Sequence, residues 1–68
     1  SELILDYTAL AGDPEQRLSV LCFHILRLEG LERPYGLQLP GLTLEPALGS
    51  AHRDACLRAL ALFGKEAA

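Results

Sequence analysis

The sequence predicts a small α/β domain: a three-stranded mixed sheet of order 3-2-1, two helices, and elements running β-α-β-β-α. Three observations carry this expectation. Glu2-Leu3-Ile4-Leu5-Asp6 is an aliphatic run ending in a carboxylate. Asp13-Pro14-Glu15-Gln16 is a strong helix start. Two alternating runs then flank Pro40-Gly41 and precede a last helical stretch.

Strand 2–6 comes first. Three consecutive large aliphatic residues bury both faces of a strand, the pattern of the middle of a doubly covered parallel sheet. A loop follows from Tyr7 to Gly12. Asp13 then suits the N-cap, Pro14 the first helical position, and Gln16 completes the capping-box spacing. This helix should reach about Glu29 and stop at Gly30. Leu18, Leu21, Cys22, Ile25 and Leu28 share one face at the 3.6 period. Val20 and Phe23 lie off that face, either as incidental surface apolars or as a second contact surface.

Pro34 to Leu39 alternates, with Tyr35, Leu37 and Leu39 on one face, and Leu42 to Glu45 alternates again. Pro40-Gly41 between them favours a type II turn, which fits strand twist poorly, so the hairpin should be splayed or its loop longer. Pro46 to Gly49 reads as loop. Ser50 can cap a helix from Ala51 to Phe63, closed by Gly64, with Leu57, Leu60 and Ala61 toward the core. Lys65 to Ala68 reads as a frayed tail. A helical crossover makes the first two strands parallel, and the hairpin places the third antiparallel at the edge. The same order leaves strand 2–6 at the other edge, where an apolar strand invites pairing. Self-association through strand 2–6, or a protein partner there, is therefore expected.

With 68 residues, the chain reads as a single domain, 1–68. It is half hydrophobic, only 6% aromatic and without methionine, the profile of a piece of something longer. The net charge of −3, with scattered basic residues, argues against nucleic acid. No apolar run approaches the roughly 20 residues needed to span a bilayer, so this segment should make no direct membrane contact. Cys22 and Cys56 both fall in predicted helices, which favours free thiols, a reducing compartment and a cytoplasmic location.

Few residues group for chemistry. Asp6 and Thr8 place two oxygen donors at a strand's carboxyl end, where ligands of open α/β sheets bind and where Mg²⁺ would find hard ligands. The competing reading is that Asp6 caps a turn. His52 and Cys56 share a helix face, but a zinc site needs about four convergent ligands and a nucleophile needs a group to orient its histidine. Cys22 and His24 point to different sides of their helix. No catalytic set, cofactor loop or phosphate cradle is expected, and the chain reads as no enzyme.

Tyr35-Gly36-Leu37-Gln38-Leu39-Pro40-Gly41, then Leu48-Gly49-Ser50-Ala51-His52-Arg53 and Cys56 to Phe63, resemble the C-terminal segment of bacterial proteins of the domain of unknown function 58 family. Glu2 to Tyr7 and Glu15 to Ser19 are similar to it as well, so the likeness covers nearly the whole chain. The resemblance implies part of a von Willebrand factor A-like, Rossmann-like unit in a larger, often membrane-anchored protein that works with a MoxR-type AAA+ ATPase. It also implies a metal-dependent adhesion motif of the form Asp-x-Ser-x-Ser after the first strand. Asp6 and Thr8 match its first two positions in kind, and Leu10 replaces the third. The function expected is a protein-interaction or scaffold module. The alternative is a degenerate Mg-type half-site or small hydrolase-like domain centred on Asp6 and Thr8.

Overall fold

Strict alternation makes the central strand. Tyr35, Leu37 and Leu39 point to one side of β2 (Tyr35–Leu39), and each is at most 1% exposed. The computed structural model describes residues 2–67. In it, β1 (Ile4–Asp6) pairs parallel with β2, and β3 (Leu42–Ala47) pairs antiparallel on the other side. The sheet order is β1-β2-β3, and the chain is an α/β domain with two helices, α1 (Pro14–Gly30) and α2 (Ser50–Ala67).

Both helices cover the same face of the sheet. Leu21 and Ile25 from α1, Cys56, Ala59 and Leu60 from α2, and the three β2 side chains form one buried cluster. Tyr7 joins it from a 3-10 turn at Tyr7–Ala9, set edge-on to Phe63 at 4.9 Å between ring centroids. The one-sided arrangement corrects the expectation that strand 2–6 is buried on both faces. Leu3 and Leu5 pack against the core, whereas Ile4 points to the open face and is 40% exposed. A strand at the sheet edge with helices on one side has only one face to bury.

Local rules hold where they are local. The Asp13 carboxylate accepts from the Gln16 amide, and the Gln16 side chain accepts from the Asp13 amide, both at 2.9 Å. The α1 stop differs slightly from expectation. Gly30 is still helical, and Glu32 takes the left-handed conformation at φ 53°. The amide of Arg33 reaches the carbonyl of Leu28, and that of Glu32 reaches Glu29, closing a Schellman motif. The Pro40-Gly41 turn spans two residues between the paired Leu39 and Leu42, with Gly41 at φ 82° as a type II turn requires. The loop is therefore not lengthened, contrary to expectation, and the irregularity of this hairpin is a register shift between Tyr35 and Leu37 that the turn does not cause.

That shift accommodates a longer β3. Pro46 and Ala47, expected as loop, belong to the strand, and a proline is tolerated because β3 is an edge. Gly36 sits opposite the irregularity. A Cβ there would lie 2.8 Å from Ile4 Cδ1 and 2.9 Å from the Leu44 carbonyl oxygen. α2 also departs from expectation. It begins at Ser50, with the Gly49 carbonyl accepting from Arg53, so Gly49 rather than Ser50 holds the cap position. It continues through Gly64, and Lys65 to Ala67 are helical. Gly64 does not end the helix. It makes room for α1, because a Cβ there would lie 2.9 Å from Leu18 Cδ1. The buried face is Cys56, Ala59 and Leu60 with Leu57 partly covered, and Ala61 is exposed.

Two outcomes follow from this packing. Leu21→Ala or Ile25→Ala should destabilise by about 2–5 kcal/mol, measured by urea titration; a loss well under 1 kcal/mol would contradict the buried face. Gly36→Ala should also destabilise, by about 1–3 kcal/mol, because one of its close neighbours is backbone that cannot swing aside.

Candidate functional site

Asp6 and Thr8 are brought together at the carboxyl end of β1. Asp6 Oδ1 accepts from the Thr8 amide at 3.0 Å and from the Thr8 hydroxyl at 2.9 Å. Asp6 is the N-cap of the 3-10 turn. Leu10, at the third position of the adhesion motif, packs against the core and offers no donor. Among the described residues no three His, Cys, Asp or Glu side chains are grouped to hold a metal ion.

A second polar group surrounds Tyr35. Its hydroxyl donates to Glu29 Oε2 at 2.7 Å, and the Gly49 amide donates to the same oxygen at 3.2 Å. His52 Nε2 lies 2.8 Å from the Tyr35 carbonyl oxygen and 3.6 Å from Cys56 Sγ. A carbonyl can only accept, so Nε2 carries a proton and donates it there. That nitrogen cannot then act as a base toward the Cys56 thiol. Cys56 is fully buried, and burial first, then the Glu29 charge, push its thiol upward in pKa. The pair foreseen from spacing alone is thus adjacent, but as part of the core. Tyr35 is also pushed well above the usual phenol range, by burial, by its bond to Glu29 and by that carboxylate's charge. The sequence held one unread signal for this network: Glu29 continues the core stripe, four residues after Ile25.

The unused backbone is on β1. The Gly36 amide donates to the Leu3 carbonyl at 2.8 Å, so Leu3 faces β2, and alternation turns the N–H and C=O of Ile4 outward. Beside this free edge runs an apolar groove between β1 and α1. Leu3, Leu5 and Leu28 form its floor. Phe23 and Leu31, 58% and 63% exposed, form its outer wall, with the Phe23 ring set edge-on to His24. Phe23, noted as an apolar residue off the core face, therefore lines a groove; Val20 is not part of it. The opposite edge is different: β3 carries Pro46 and the register shift.

Comparison with known proteins finds no family model, no curated protein and no solved structure that matches this chain. No helix among the described residues is long and apolar enough to cross a membrane.

The raised pKa values of Tyr35 and Cys56 set a pH dependence. Each group keeps its proton in the folded state after the unfolded chain has lost it. Their contribution is therefore complete below the ordinary values, about 8.5 for cysteine and 10 for tyrosine, and declines as pH rises beyond them. Stability followed by chemical denaturation should fall through this alkaline range. Tyr35→Phe should flatten the upper part of the decline and lower neutral-pH stability by about 1–3 kcal/mol through the lost bond to Glu29. An unchanged alkaline slope in that variant would refute the assignment.

Proposed function

We propose that this chain is a non-catalytic protein-interaction module that adds a strand from a partner to the free edge of β1. The observation that carries the reading is the outward-facing Ile4 backbone beside an uncovered apolar groove. Strand addition uses such an edge for affinity and the neighbouring pockets for side-chain choice. The edge has none of the proline or bulge protection present on β3. The wider setting follows from the resemblance of Tyr35–Gly41 and Ala51–Arg53 to the domain of unknown function 58 family. In that setting the chain is a von Willebrand A-like segment of a scaffold protein acting with a MoxR-type AAA+ ATPase.

Amide exchange tests the docking mode. In dilute chain the Ile4 amide should exchange rapidly while the Leu5 amide is protected. A short uncharged peptide of alternating valine and threonine should then slow exchange at Ile4. Strong Ile4 protection in the isolated monomer, or none on saturation with peptide, would rule out strand addition here.

A further inference from the structure

We infer that the strand docking on β1 is an acidic one: an extended apolar segment flanked by Asp or Glu, supplied by another protein. The inference rests on the strand-addition reading above and concerns the chemistry of the occupant. Arg27 and Arg33 line the groove together with its apolar floor, and no carboxylate lines it. This is notable in a chain with nine acidic and six basic residues. The ion pair found among the described residues, Arg53 with Asp54, is elsewhere, on α2. Neither groove guanidinium makes a side-chain hydrogen bond within the described residues, so both are free to meet an incoming carboxylate. Arg27 also suits the last turn of α1, where a cation complements the helix dipole. Arg33, beyond the helix, has no such local role.

The same geometry disfavours a second copy of β1 as the occupant. A twofold antiparallel pair would centre on Ile4, the residue whose N–H and C=O face outward, and the two copies of Ile4 would exchange both bonds. That register sets Glu2 of one chain opposite Asp6 of the other. Like charges directly opposite one another destabilise a strand pair. A partner whose carboxylates lie on its groove-side face, toward Arg27 and Arg33, keeps them off the open face, to which alternation assigns Glu2 and Asp6 along with Ile4. Its apolar side chains enter the groove against Leu3, Leu5 and Phe23.

The test compares short extended peptides of one apolar core, flanked by aspartate, by lysine, or by neither. Amide shifts and exchange at Ile4 of the intact chain report binding. The aspartate-flanked peptide should bind roughly threefold to thirtyfold tighter than the lysine-flanked one, as expected for two exposed ion pairs. Raising salt to about 1 M should erase the difference without abolishing binding. Arg27→Glu with Arg33→Glu should reverse the order of the two charged peptides. Equal affinities for all three peptides would overturn the acidic occupant and leave strand addition standing. No peptide acting at Ile4 would overturn both. Concentration-dependent dimerisation seen in sedimentation, with Ile4 protected only in the dimer, would make the second copy the occupant and overturn the inference.

Discussion

The fold depends on the satisfaction of a polar aromatic, Tyr35, buried at the centre of a largely apolar core. Tyr35 is fully buried, and a buried hydroxyl without a partner is expensive. Glu29 supplies the partner from the end of α1, and the amide of Gly49 shares the same carboxylate oxygen. The carbonyl of Tyr35 is in turn held by His52 of α2, whose ring lies 4.7 Å from the phenol ring. One residue of β2 thus links the close of the first helix, the loop before the second and the first turn of the second. The apolar cluster supplies the bulk of the driving force. The Tyr35 connections fix how the helices are set on the sheet.

That fixed layout leaves the two sheet edges unequal. β3 is long and twisted off register by its bulge, with Pro46 removing a donor. β1 contributes only three residues, yet they carry the aliphatic stripe and no interruption. A domain with one edge blunted and the other continued by a groove is asymmetric in what it can accept.

What could be read in the sequence divides along the line between local and long-range causes. α1 was legible because its cap, its proline and its apolar stripe lie within one segment. The hairpin was legible because Tyr35 to Leu39 and Leu42 to Glu45 alternate around a two-residue turn. The end of α2 was not, because the role of Gly64 is set by Leu18, a residue on another helix. The buried face of α2 is only partly legible because alanines are uninformative: Ala59 is inside and Ala61 outside. Strand 2–6 reads as doubly buried only if a second layer exists, and no local pattern states how many layers cover a sheet. For the polar groups, Asp6 with Thr8 was found as a pair, and the turn-cap alternative describes their observed bonds. The groove beside β1 is legible in the sequence only through Phe23, since the positions of Arg27, Leu31 and Arg33 depend on how the chain leaves α1.

Gly36 determines the shape of the sheet's back. With no side chain on β2 at that point, Ile4 from one neighbour and Pro46 from the other lean across the central strand. The uncovered face is therefore not a flat pleated surface with its own row of β2 side chains. At Gly36 it is covered by Ile4 and Pro46 from the two outer strands, and two residues further on Gln38, bonded to Thr43, supplies the β2 side chain. Any layer laid against it would meet Ile4 and Pro46 where Gly36 lies beneath them. A residue chosen for being the smallest thus hands the outer relief of the sheet to its margins.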